Sequence, residues 1–185
     1  MCRRSNAGTD EVLLNVVRAD DGQGGEFVLG ELASNNEINL CQACARLGHC
    51  RMGLRTERLD DGVVTTELSC RSENEGGPGI AHGGWVAGVL DELVGHVPIL
   101  HGHLTVTGTL TVRFVKPVPI ETPLLGEARM LRREGSRWYI EARLTMLSSG
   151  AELALAEAVM VERDARHYER HRQWLADQQD RQSSG

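Results

Sequence analysis

The chain has 185 residues, 41% hydrophobic and 25% charged, which suits one soluble globular domain with appendages. Its net charge of −6 excludes a nucleic-acid binder unless the basic residues cluster tightly. No apolar run approaches the roughly 18 residues of a membrane span. The first residues lead into polar ones with no apolar h-region, so no secretory signal is expected and the expected location is cytoplasmic.

In chain order, residues 1–40 form a weakly patterned N-terminal extension. Val12, Leu13, Leu14, Val16 and Val17 make a short apolar stretch of helix or strand, and residues 20–25 are a loop by composition. Segments 53–59 and 63–68 flank Asp60-Asp61-Gly62, the signature of a β-hairpin. A Gly/Pro-rich loop, 69–81, leads to a core helix over 83–97 that Pro98 is expected to stop. Four strands follow, over 104–115, 124–131, 138–147 and 153–162, with no helical pattern between them, so they should be antiparallel neighbours.

In the first of these four, Leu104, Val106, Leu110, Val112 and Phe114 alternate with Thr105, Thr107, Thr109, Thr111 and Arg113, giving an apolar and a polar face. The resulting class is α+β: a long antiparallel sheet wrapped around one central helix, spanning 41–163. Asp164 reads as the N-cap of a charged C-terminal helix and tail, 164–185.

At 100° per residue the central helix has two unequal faces. Val86, Val89, Leu90, Leu93, Val94 and Val97 fill a broad aliphatic arc, while Gly84, Gly88, Asp91 and Gly95 share a narrow stripe with Glu92 at its edge. Glycine costs about 1 kcal/mol relative to alanine inside a helix, so three on one stripe imply close approach of a backbone or a ligand. Asp91 is the acid on that stripe. The Gly-rich entry, 76–84, leaves free N–H groups at the helix start, where the macrodipole favours negative charge. That arrangement suits an oxyanion hole. A turn-forming glycine loop and an ion-paired Asp would give the same pattern.

The run Glu75-Gly76-Gly77-Pro78-Gly79-Ile80-Ala81-His82-Gly83-Gly84, with Asp91 nine residues after His82, resembles the helix signature of the PaaI-type hotdog thioesterases. Arg113-Phe114-Val115-Lys116-Pro117-Val118-Pro119 is similar to the strand end that follows the helix in that family. The resemblance covers about residues 44–162 and implies a hotdog fold and an acyl-CoA substrate without a cofactor. It further implies that the Gly83 N–H polarises the thioester carbonyl, with Asp91 as general base or nucleophile.

By the same resemblance His82 sets the loop geometry and hydrogen-bonds near the carbonyl, a structural cap being the alternative, and Thr107 supports the attack from a neighbouring subunit, with Gly84 beside the substrate. Some members carry Asn where this chain has Gly76, which leaves Asn74 or Glu73 to position water. Coenzyme A is polyanionic, so a local basic patch is expected. Lys116, the only lysine, is the first candidate, followed by Arg129, Arg132, Arg133 and Arg137. An exposed sheet edge and face favour a homodimer or homotetramer.

Cys41, Cys44, His49 and Cys50, with Cys70 further on, have a loose zinc-like spacing. Structural zinc sites use two well-separated ligand pairs, so no metal is assigned. Two other functions stay open: a hotdog hydratase or dehydratase acting on acyl-CoA or acyl-carrier-protein thioesters, and a non-catalytic acyl-CoA-binding module. The acyl group itself cannot be read from these residues.

Overall fold

The computed structural model describes residues 18–20, 26–28, 33–34, 37–38, 44, 47, 49–164 and 166–183. The apolar stretch expected over 12–17 and Cys41 lie outside the described residues. The strands are β1 (Arg18–Asp20), β2 (Glu26–Val28), β3 (Ala33–Ser34), β4 (Glu37–Ile38), β5 (Leu54–Asp60), β6 (Val63–Leu68), β7 (Glu75–Gly77), β8 (Ile80–Ala81), β9 (Thr105–Phe114), β10 (Leu124–Glu134), β11 (Arg137–Met146) and β12 (Glu152–Glu162). The helices are α1 (Gly83–Leu100) and α2 (Arg166–Ser183).

Eight strands form one antiparallel sheet in the order β3-β4-β5-β6-β10-β11-β12-β9. Its turns are set by local chemistry. Asp61 and Gly62 both take positive φ, 46° and 75°, between the paired Asp60 and Val63, the geometry of a two-residue type I′ hairpin. Gly135 at φ 57° opens the β10–β11 turn. The expected hairpin and antiparallel order are therefore observed. Two strands of the N-terminal segment, β3 and β4, also join this sheet, through Glu37 paired with Arg58 of β5.

The sheet wraps α1. The helix buries Trp85, Val86, Val89, Leu90, Leu93, Val94 and Val97 against Val64, Leu68, Leu124, Ile140 and Leu144. Ala142, Ala154, Ala156 and Ala158 are buried on β11 and β12 in the same core, where small side chains let the helix lie close. At Gly126 a Cβ would stand 2.8 Å from Leu93 Cδ1, so the helix leaves no room for a side chain there. Truncating a core residue such as Leu93 to Ala is expected to cost about 2–5 kcal/mol.

Pro98 does not stop the helix. It sits inside the last turn, and α1 continues to Leu100. Gly102 ends it, at φ 77°, with its N–H on Ile99 O (2.9 Å) and the His103 N–H on Pro98 O (2.9 Å), the two bonds of a Schellman motif. A proline there forfeits one intrahelical N–H, a loss the C-terminal turn tolerates.

The expected alternation of β9 also fails, at Gly108. Val159 of β12 pairs with Thr109, but the next residue, Met160, pairs with Thr107, so Gly108 is the extra residue of a β-bulge. A bulge reverses the alternation. Thr107 therefore shares the inward face with Leu110 and Val112, opposite Met160, Ala158 and Ala156. Phe114, expected on the apolar face, is 57% exposed.

Candidate active site

β9, at one edge of the sheet, and the Met52 segment that leads into β5 both approach the glycine stripe of α1. On the β9 side the Phe114 ring lies 3.7 Å from where a Gly83 Cβ would be, which places the end of β9 at the start of the helix. Two turns along, Thr107 Oγ1 donates to Asp91 Oδ1 at 2.8 Å. The sequence expectation put Thr107 on a polar outer face and had it delivered by a neighbouring subunit. The Gly108 bulge turns it inward, and its hydroxyl reaches the carboxylate of its own chain.

The stripe is not bare. A Cβ at Gly88 would meet Met52 Cε at 2.5 Å, one at Gly84 would meet the His82 ring at 2.9 Å, and one at Gly95 would stand 3.8 Å from Met160 Cε. The close approach that the glycines imply is made in part by side chains of this chain. Met52 was not legible as a site residue, because nothing local marks it.

At the helix start His82 is the N-cap, in extended conformation, and its Nδ1 accepts the Gly84 N–H at 2.9 Å. Trp85 and Val86 donate to the His82 carbonyl. Gly84, expected beside the substrate, thus has its amide already engaged. Among the described residues the Gly83 N–H has no acceptor, and it is exposed at the positive end of an 18-residue helix.

The hairpin β7–β8 supports this turn. A Cβ on Gly76 would come within 2.5 Å of His82 Cα, so the packing excludes an Asn at that position. Asn74 contributes its carbonyl to the His82 N–H (2.8 Å), and Glu73 faces Arg71 at 3.8 Å. Neither is seen reaching toward Asp91.

The basic candidates do not gather. Lys116 is exposed just beyond β9, at the Gly83 end. Arg129 pairs with Glu141, and Arg132 pairs with Glu134 while covering the Tyr139 ring at 3.5 Å. Arg133 pairs with Glu162 at 2.7 Å and lies over Trp138, which contacts His101 at the opposite end of α1. Arg137 begins β11 beside that turn.

Of the cysteines, Cys44 accepts the Arg51 N–H at 3.4 Å, and burial pushes the Cys70 thiol up to about 11. His49 contacts Leu47 O and Arg71. No metal-holding group of His, Cys, Asp or Glu occurs among the described residues.

A second polar cluster was missed altogether. His96, one turn beyond Glu92, has Nδ1 at 2.6 Å from Glu57 Oε2 of β5 and Nε2 at 3.2 Å from Glu92 Oε2. The Glu92-x-x-x-His96 spacing could have signalled half of it. Glu57, on another element, could not be found from spacing.

Residues 78–150 match the family model of the thioesterase superfamily. Among solved structures, one thioesterase superfamily protein is 24% identical with a TM-score of 0.54, the match covering 57% of this chain and 55% of that one. A hypothetical thioesterase from Streptococcus pneumoniae is 20% identical with a TM-score of 0.56, covering 60% and 89%. The PaaI protein of the Escherichia coli phenylacetic acid degradation operon is 16% identical with a TM-score of 0.58, covering 66% and 85%. At these identities the neighbours carry the fold. No helix among the described residues is long and apolar enough to cross a membrane. Residues 78–150 thus match the thioesterase superfamily model, and the fold around them is the one seen in the PaaI protein and the other solved neighbours.

Proposed function

We propose that the chain hydrolyses an acyl-CoA thioester to the free acid and CoA at the stripe between Gly83 and Asp91. The observation that carries this reading is the division of donors at the helix start. His82 takes up the Gly84 amide and leaves the Gly83 N–H free, two turns from a carboxylate oriented by Thr107.

In this mechanism the thioester carbonyl oxygen rests on the Gly83 N–H, which stabilises the oxyanion as water attacks. Asp91 takes the proton from that water and CoA leaves as the thiolate, to be protonated. If Asp91 attacks directly, an acyl-aspartyl anhydride forms and water then cleaves it. Either way the thioester C–S bond breaks and free thiol appears. Thr107 holds one carboxylate oxygen, fixing the rotamer while the other oxygen faces the substrate. Lys116, at the Gly83 end, is the better placed cation for the CoA phosphates.

The thioesterase from Streptococcus pneumoniae has been crystallised with coenzyme A, and a relative from Streptococcus mutans with acetyl CoA. Variants of the pneumococcal protein replace an Asp and a Thr sixteen residues apart, the separation of Asp91 and Thr107. A hydratase using His82 with Asp91 has less support, because His82 Nδ1 is committed to the cap.

The ten-residue edge strand β9 offers unpaired backbone groups to a second copy, so a homodimer or homotetramer is proposed with this site at the contact. The test is free-thiol release from a panel of short, long and aromatic acyl-CoAs. Release establishes hydrolysis and ranks the acyl groups. Acyl-CoA consumed without thiol would mark a hydratase or dehydratase, and binding without turnover a non-catalytic module.

A further inference from the structure

Asp91 stands next to Glu92 on α1, and Glu92 is tied to the only ionic cluster that joins the helix to the sheet, at β5, among the described residues. Glu57 projects from β5 and is 3% exposed. Its Oε2 meets His96 Nδ1 at 2.6 Å, off the ideal N–H axis, and its Oε1 is buried without a hydrogen-bond partner. Glu92 closes the triad from the helix itself, at 3.2 Å and half-exposed.

Such a cluster is costly in a core unless its charges balance. Two carboxylates, one of them buried, demand a cation, and the imidazole is the group that lies between them. We infer that His96 is a positioning residue: as an imidazolium clamped between Glu57 and Glu92, it fixes the rotation of α1 against β5 and so aims Asp91. This inference rests on the proposed role of Asp91.

The surrounding charges agree. Burial pulls the His96 imidazole down, but Glu57 and Glu92 outweigh it and push it up to about 9. The hydrogen bond from His96 holds Glu92 below the usual carboxylate range against desolvation, with help from Arg51. Cys50, the other group near Glu92, has its thiol raised by burial. Because the folded-state value of His96 lies above the ordinary 6.5, the contribution of the clamp is complete below about 6.5. It is lost as pH rises through about 9. Losing the His96 proton removes the cation between the two carboxylates, and with it the clamp that fixes the helix.

The test uses the full-length chain carrying 13C-labelled His and Asp, titrated by NMR from pH 6 to 10, with kcat for thiol release followed over the same range. His96 is expected to titrate near 9, with a step of the same midpoint in the Asp91 carboxyl resonance and an alkaline fall in kcat. Glu57→Gln keeps the shape and removes one counter-charge, so it should move all three midpoints down together by about 1–2 pH units. Glu92→Gln, on the half-exposed side, gives the same comparison should Glu57→Gln not fold.

A His96 that titrates near its ordinary value, or an Asp91 resonance that ignores the His96 step, would overturn the clamp. So would a kcat limb that stays put while the His96 midpoint moves. Absence of thiol release from the wild type would instead overturn the hydrolase reading, and the Asp91 resonance would still decide the clamp.

Discussion

Two neighbouring residues of α1, Asp91 and Glu92, sit in opposite surroundings. Asp91 is partly exposed on the glycine stripe, with one neutral hydroxyl, Thr107, as its hydrogen-bond partner. Glu92 belongs to a cluster in which every partner is ionic and one, Glu57, is buried. A carboxylate neutralised by a cation loses nucleophilicity and basicity, whereas one held by a single hydroxyl keeps both. The helix separates the two demands. In the proposed mechanism the ion triad holds the helix and the lightly bonded Asp91 does the chemistry.

The sharpest way to break that comparison is Asp91→Asn. The amide keeps the volume and can still accept from Thr107, but it has no charge to act as base or nucleophile. Turnover should fall about 10²–10⁴-fold in steady-state thiol release, with an unchanged thermal melt. Activity near wild type would remove Asp91 from the mechanism.

Gly83→Ala comes next. The added Cβ would meet only the Phe114 ring at 3.7 Å, an ordinary contact, in helical backbone that alanine favours. Melting temperature should therefore hold or rise. Meanwhile kcat drops by up to about 10²–10³-fold as the methyl displaces the carbonyl from the N–H. A drop in stability with no change in kcat per folded molecule would make Gly83 a turn residue instead.

Thr107→Val removes one hydrogen bond to a charged group, worth about 1.5–3 kcal/mol. The expected loss is about 10–100-fold in kcat, and it should vanish when Asp91 is already Asn. Additive losses in that double-mutant cycle would mean that Thr107 acts on its own. The smallest effect concerns stability. Raising the pH from 7 to 10 should lower the melting temperature of the wild type as His96 loses its proton, and His96→Gln, less stable at pH 7, should lack the step. Equal slopes in both proteins would show that His96 contributes no pH-linked stability.

Local chemistry made much of this legible from the residues. The I′ turn at Asp61-Gly62, the apolar arc of α1 and the Ala81-His82-Gly83-Gly84 entry are each written in local residues, and each lies where it is expected. The misses were set elsewhere. Alternation along β9 cannot reveal the bulge at Gly108, because a bulge exists only in register with β12. Pro98 looked like a stop because its ring forbids a helix interior, yet the last turn tolerates it and Gly102 supplies the true end.

The glycine stripe implies close approach of a backbone or a ligand, and part of that space belongs to the side chain of Met52, thirty-six residues before Gly88. The Glu57–His96 pair spans thirty-nine residues, so no spacing rule could join it. Arginines that flank one turn in sequence alternate between sheet faces in space, which scattered the expected basic patch.

Whether Asp91 does chemistry or merely holds substrate is settled most directly by affinity. A non-hydrolysable CoA thioether analogue should bind the wild type and Asp91→Asn with Kd values equal within about twofold, far less than the 10²–10⁴-fold separating their turnover. An Asp91→Asn protein whose Kd weakens in proportion to its kcat would contradict the account, because Asp91 would then be a binding group and the catalytic carboxylate would lie elsewhere.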